Sequence, residues 1–232
     1  MSQAVLLILH LLLVVAWLGI DVGVFSSSFL IRRRGLSGDA RVELRRLMRG
    51  LDLAPRLSLV LMMPVALGLA DVTGYASIPA WLLVTVSLVA LGWTGAMIWS
   101  FRRVTVLGTP LRDDAAAASA FRRIDLVLRV VAIAGFGIAG AGSLVGVTEV
   151  FVTDFIALKS VIFATTVLAG LVIRQGAGPF TPALRSVVEN GETEDALRVM
   201  DSAMRRVYPA VLYIWGSLVV MIVIAVTRPT LS

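Results

Sequence analysis

The sequence predicts an all-α fold, a polytopic membrane bundle of about six transmembrane helices with both termini outside. Three observations carry that expectation. Of 232 residues, 58% are hydrophobic and 16% charged, whereas soluble domains run near 45–50% and 25%. The apolar residues are spread along the chain in stretches long enough to cross a bilayer, roughly 20 residues each. The arginines gather in the connections between those stretches.

The first span covers about 3–31 and ends in Arg32-Arg33-Arg34. No basic residue precedes it, and it exceeds the about 7–15 apolar residues of a signal-peptide core, so it is expected to remain as a span. The second covers about 56–73, opened by Pro55, which a first helical turn tolerates. A short uncharged turn leads to the third, about 80–101, closed by Arg102-Arg103. The fourth, fifth and sixth cover about 124–147, 150–174 and 207–227. Little chain is left over, so a single transmembrane domain, 1–232, is expected.

Two connections have a pattern of their own. Over 39–51, Leu44, Leu47, Met48 and Leu51 recur at helical spacing, with Arg41, Arg45 and Arg49 mostly on other faces. That pattern suits an amphipathic helix on the inner membrane surface, in contact with anionic lipid headgroups. Between Pro182 and Asn190 a short helix is expected. Asn190-Gly191 then reads as a turn, and Glu192, Glu194 and Asp195 favour a new helix start.

Charge sets the orientation. Eight arginines lie in 32–56, five in 102–123 and five in 174–206. The opposite connections hold only Arg228, while Arg129 and Lys159 fall inside predicted spans. By the positive-inside bias the arginine-rich side is cytoplasmic, which suits a bacterial-type inner membrane. The net charge of +6 therefore reads as a topology and lipid signal, and no nucleic acid is expected as a partner.

The inventory excludes much chemistry. There is no cysteine, hence no disulfide, thiolate metal site, iron–sulfur cluster or thiol nucleophile. A multi-histidine site cannot be built from one histidine, His10. The phosphate-binding glycine loops, the serine nucleophile elbow and the paired-histidine zinc helix are missing from the sequence.

The candidates for chemistry sit inside the spans. His10, Trp17 and Asp21 share one face of the first span at about 100° per residue. A carboxylate facing lipid costs roughly 2.5–3.5 kcal/mol, so that face should look into the bundle. His10 then reads as a metal or cofactor ligand beside Trp17, or as part of a structural polar stripe with Asp21. Lys159 is the only lysine among 21 basic residues and lies at a depth similar to His10 from the same side. It reads either as a functional ammonium bordering one polar pocket with His10, between the first and fifth helices, or as a lysine snorkelling to the interface. Asp52–Arg56 and Asp125–Arg129 read as i,i+4 ion pairs. Met62, Met63 and Met97 read as packing, with soft-metal binding as the sharper alternative. The glycines of the fourth span, including G-x-x-x-G at Gly142 and Gly146, read as a close-packing face or as room for a flat cofactor.

The run from His10 through Ala16-Trp17-Leu18-Gly19 resembles the first helix of the haem-binding membrane protoporphyrinogen oxidases (HemJ type) and, more loosely, the copper-resistance D membrane domains. Arg41 to Gly68 resembles that family's basic segment leading through a proline into its second helix. Phe155-Ile156-Ala157-Leu158-Lys159 resembles its lysine-bearing helix, and the stretch from Pro209 to Arg228-Pro229 its closing helix. The resemblance covers a little over half the chain. Residues 75–148 look like an insertion, and Gly170 stands where the family carries a second histidine. It implies haem b as cofactor, His10 as axial ligand with Trp17 beside it, and Lys159 and Asp21 as candidate catalytic groups. The implied activity is a membrane redox enzyme of the oxidase type on a tetrapyrrole or other hydrophobic substrate. A transporter or copper-uptake protein, and an accessory subunit partnered in a homo-oligomer or membrane complex, are the other readings.

Overall fold

The structure, a computed structural model, describes residues 2–109 and 115–229. Its helices are α1 (Gln3–Leu30), α2 (Gly38–Val72), α3 (Ala80–Arg102), α4 (Ala115–Leu144), α5 (Asp154–Gly176), α6 (Phe180–Asn190) and α7 (Glu194–Thr227). Six stretches are long and apolar enough to cross a membrane, namely α1, α2, α3, α4, α7 and the run Asp154–Asn190 that holds α5 and α6, so the chain is an integral membrane protein of helical fold.

Local chemistry explains where the helices begin and end. The hydroxyls of Ser2, Ser37 and Thr193 accept from the amides of Val5, Ala40 and Ala196, giving each first turn a partner for an otherwise unpaired donor. Asp39 near the start of α2, and Glu194 and Asp195 at that of α7, place negative charge against the positive end of the helix dipole. Gly191, at φ 87°, closes α6 in a conformation that side chains with a Cβ rarely adopt.

Two long helices depart from the expected partition. Residues 39–51 and 56–73 are one continuous helix, α2, with Pro55 and Pro64 inside it. A proline interrupts one backbone hydrogen bond but does not end a helix whose two halves are both held by packing. Likewise α7 starts at Glu194, well before 207. At 35 and 34 residues these helices run about 50 Å, against a hydrocarbon layer of about 30 Å. They extend past it at the arginine-rich end, where Phe180, Leu184, Met200 and Met204 build a core with Ile31 and α6.

That end is locked by Arg41, whose side chain is 0% exposed. Its guanidinium donates to the carbonyls of Ile31, Arg33 (2.8 Å) and Leu36 (3.3 Å) and to the Glu192 carboxylate. The α1–α2 turn is thereby tied to the α6–α7 turn. Arg49 similarly donates to the carbonyls of Phe101 in the last turn of α3 and of Val104 and Thr105 just beyond it.

Within the spans, α1 packs chiefly on α2, α4 on α5, and α5 on α7. In lipid no hydrophobic force drives helices together, so close fit and hydrogen bonds decide. Gly140 supplies the fit between α4 and α5: a Cβ there would stand 2.7 Å from the Ala157 carbonyl oxygen. Ser160 adds a hydrogen bond to the Phe136 carbonyl, 2.8 Å. The expected G-x-x-x-G face is not that contact. Gly146 lies past the end of α4 at φ 72°, and Gly142 abuts Thr148 in the same turn. At the opposite, terminal end, Ala76 and Phe151 form an antiparallel bridge joining the α2–α3 and α4–α5 turns. It takes up residues 150–152, which is why α5 starts at Asp154 rather than 150.

Two outcomes are expected. Gly140→Ala should destabilise the bundle by about 1–3 kcal/mol, because a backbone oxygen cannot yield to the added methyl; denaturation in detergent measures it. Arg41→Ala should destabilise the fold by at least about 1–3 kcal/mol, because it leaves buried backbone carbonyls without a donor. The Arg41 hydrogen bond, then the Gly35 amide, hold the Glu192 carboxyl below the usual glutamate range. Its contribution is therefore complete above that range and is lost as the pH falls through the lowered value. Thermal melts at neutral and acidic pH should show an acid-induced loss that shrinks in Glu192→Gln.

Candidate functional site

The terminal half of the bundle contains a cavity of about 510 Å³ framed by α1, α2, α4, α5 and α7. Toward the middle of the bundle it meets Trp17, Met63, Phe136 and Phe163; toward the terminal end, Tyr75, Phe151 and Phe155. The antiparallel bridge holds those last aromatics in place: the Ser77 amide donates to Val150 O at 3.1 Å and the Val152 amide to Tyr75 O at 2.9 Å. A volume in the range of about 300–1,000 Å³ with an aromatic and aliphatic lining matches sites that take one drug-sized molecule.

His10 and Lys159 both line this cavity. The pocket they share is mainly apolar, and it is bounded by five helices instead of lying between α1 and α5 alone. The Nδ1 atom of His10 is buried and has no hydrogen-bond partner among the described residues. A buried polar atom left unpaired costs on the order of 1–3 kcal/mol, so it marks a place where something else belongs. Lys159 makes no hydrogen bond or ion pair among the described residues, and it lines the cavity beside Ser160. Trp17 is buried and contributes to the same wall.

Asp21 is elsewhere. One turn past Trp17 it accepts from Nε1 of Trp215 at 2.8 Å and so fastens α1 to α7. The shared face of His10, Trp17 and Asp21 does turn inward, but the helix carries Asp21 beyond the cavity. Met62 and Met63 line the cavity, whereas Met97 packs in the core with Trp93.

Sequence reasoning missed two arrangements. Arg228 lines the cavity at its rim, with its guanidinium 5.9 Å from the centre of the Tyr75 ring. As a left-handed residue (φ 46°) capping α7, it bonds its own amide to Ile224 O at 2.9 Å. Its solitary place among the terminal-side connections was the available signal. The other is the partner set of Asp125. Beyond Arg129 Nε (3.1 Å), this carboxylate accepts from Trp93 Nε1 (2.9 Å) and Arg174 Nη1 (2.7 Å), joining α3, α4 and α5. The spacing of Asp125 and Arg129 shows only the bond within one helix. With three donors the carboxylate is satisfied, which makes it a clamp. Gly170 lies beside it, where a Cβ would make ordinary contact with an Arg129 nitrogen at 3.7 Å.

Among the described residues no group of three or more histidine, cysteine, aspartate or glutamate side chains converges to hold a metal ion. A metal brought in by a macrocycle needs only one or two protein ligands. The buried, unpaired ring nitrogen of His10 against an aromatic cavity with two cations fits such a group. Comparison of the chain with known protein families, with curated proteins and with solved structures finds no match.

Proposed function

We propose that the chain is a membrane haem-b protein whose cofactor occupies the cavity framed by α1, α2, α4, α5 and α7. The observation that carries the reading is that His10, with its buried Nδ1, and Lys159, both without a partner among the described residues, share the walls of one aromatic-lined cavity. His10 would hold the iron, Lys159 and Arg228 would neutralise the acidic groups of the macrocycle, and Trp17 and Phe163 would supply apolar contact. When bound, haem supplies one-electron redox chemistry tuned by its ligand and its burial. The protein contributes the ligand, the ionic anchors and a lining that keeps water from the ring. Asp21 acts through position, holding α1 against α7.

A second reading rests on Met62 and Met63, which line the same cavity as His10. Two thioethers and an imidazole suit cuprous copper, and the protein would then carry or import that ion. The arginine-rich end faces the cytoplasm in both readings, supported by 18 arginines on its connections against one on the other side.

Protein purified from haem-replete cells should show Soret absorbance. His10→Ala should lose it while still inserting, because one mid-span change hardly alters six apolar segments. A colourless wild-type protein with stoichiometric copper would replace haem by the second reading. For sidedness, a reporter fused after Ser232 should be active only when exported; activity confined to the cytoplasm would reverse the orientation.

A further inference from the structure

The seam between α1 and α7 is fastened along only half its length. Toward the arginine-rich end, Asp21 bonds Trp215, Ser28 meets the Tyr208 hydroxyl at 3.2 Å, and Arg32 reaches Asp201 at 2.5 Å. Toward the terminal end no bond joins the two helices among the described residues. There Leu11 and Val15 of α1, with Ile222 and Val226 of α7, line the cavity and are also exposed on the outside of the bundle, Val15 at 67% and Val226 at 78%. A side chain that borders a cavity and is mostly exposed stands at an opening. Around this opening the outward residues are Ile8, Leu12 and Val223, all apolar. The bridged turns carrying Tyr75 and Phe151 cover the terminal end of the cavity. The free side therefore faces lipid.

The charges say what enters. Lys159 stands inside the cavity with no counter-ion among the described residues, and Arg228 stands at the rim. An ammonium in an apolar wall is costly until an anion joins it. The cavity of about 510 Å³ is sized for one drug-sized body, and a two-chain phospholipid exceeds it.

We propose that the opening between α1 and α7 is a lateral portal through which a membrane-dissolved carboxylate amphiphile enters, its acid group paired with Lys159 and Arg228. This rests on the reading of the cavity as the ligand site, but not on haem being the ligand. The apolar body lies against Trp17 and the phenylalanines, and the carboxylate stays near the terminal interface where Arg228 meets it.

The test uses the full chain in phosphatidylcholine nanodiscs, with 9,10-dibromostearate as probe and tryptophan quenching as readout. Saturable quenching is expected from the acid and none from its methyl ester. Lys159→Gln should weaken half-saturation about tenfold, the loss of one close charge pair. Arg228→Gln should weaken it less, and Arg228→Lys should restore it. If Lys159→Gln fails to assemble, the acid-against-ester comparison on the unaltered chain decides, and equal quenching overturns the proposal. Raising the phosphatidylglycerol content should leave the probe in place; its displacement would make a phospholipid headgroup the occupant and overturn the carboxylate assignment. Because the chain has no cysteine, Leu11→Cys with Ile222→Cys can be joined by a cleavable bis-maleimide. Joining should slow binding at least about tenfold, and cleavage should restore it; unchanged kinetics would refute lateral entry. Soret absorbance separates the two ideas. Because retained haem would fill the cavity, the probe is tested on haem-free protein: saturable binding by a chain that never shows a Soret band sinks only the haem reading, and no saturable binding to haem-free protein sinks only this one.

Discussion

The guanidinium of Arg41 sits in a place where no solvent reaches it and where four acceptors, three of them backbone carbonyls, have been arranged to meet it. Carbonyls left over where α1 ends would otherwise face apolar surroundings unpaired. One side chain satisfies them and, through Glu192, brings the start of α7 alongside the end of α1. The positions of α2 and α7, the two longest helices, follow from that knot. So does the small apolar core that α6 completes beside it.

The rest of the bundle is organised by contrast with that end. Polar clamps multiply toward the arginines: Asp125 with its three donors, Arg49 on the carbonyls beyond α3, Arg32 between Asp201 and Tyr208. In lipid these bonds and close glycine contacts are the main forces between helices. The terminal half has few of them. There α1 rests on α2 and α5 on α4 and α7, leaving an interior volume that neither pair fills. The cavity is thus what remains when clamps are confined to one end and aromatic side chains line the other.

Much of this was legible from residues alone. Long apolar runs set the helical class, and Asn190-Gly191 followed by Glu194 and Asp195 marked the boundary between α6 and α7. His10 and Lys159 could be singled out because ionisable groups inside apolar spans are expensive. Other features lay beyond one-dimensional reading. The apolar pattern of 39–51 and the proline after it suggest two elements, yet packing at both ends keeps α2 continuous. The pairing of Asp125 with Trp93 and Arg174 spans 32 and 49 residues, and no local period reports such a contact. Gly142 and Gly146 matched a packing motif by spacing, but a positive φ at Gly146 shows that the helix had already ended. The cavity itself is made of gaps between helices, which no residue pattern records.

Helix α7 runs unbroken from Glu194 to Thr227 and carries Pro209 within it. It is anchored by its foot outside the hydrocarbon, while its far end forms one jamb of the opening. A proline removes one backbone bond and lowers the resistance to bending at that level. Val226 lies 17 residues beyond Pro209, about 25 Å along the axis, so a tilt of about 5° there moves it by about 2 Å. That is about half the thickness of a methyl group. The helix is in this sense a lever: a small push on its foot, from the arginine-rich side, is delivered as a change in the width of a doorway on the opposite face of the membrane.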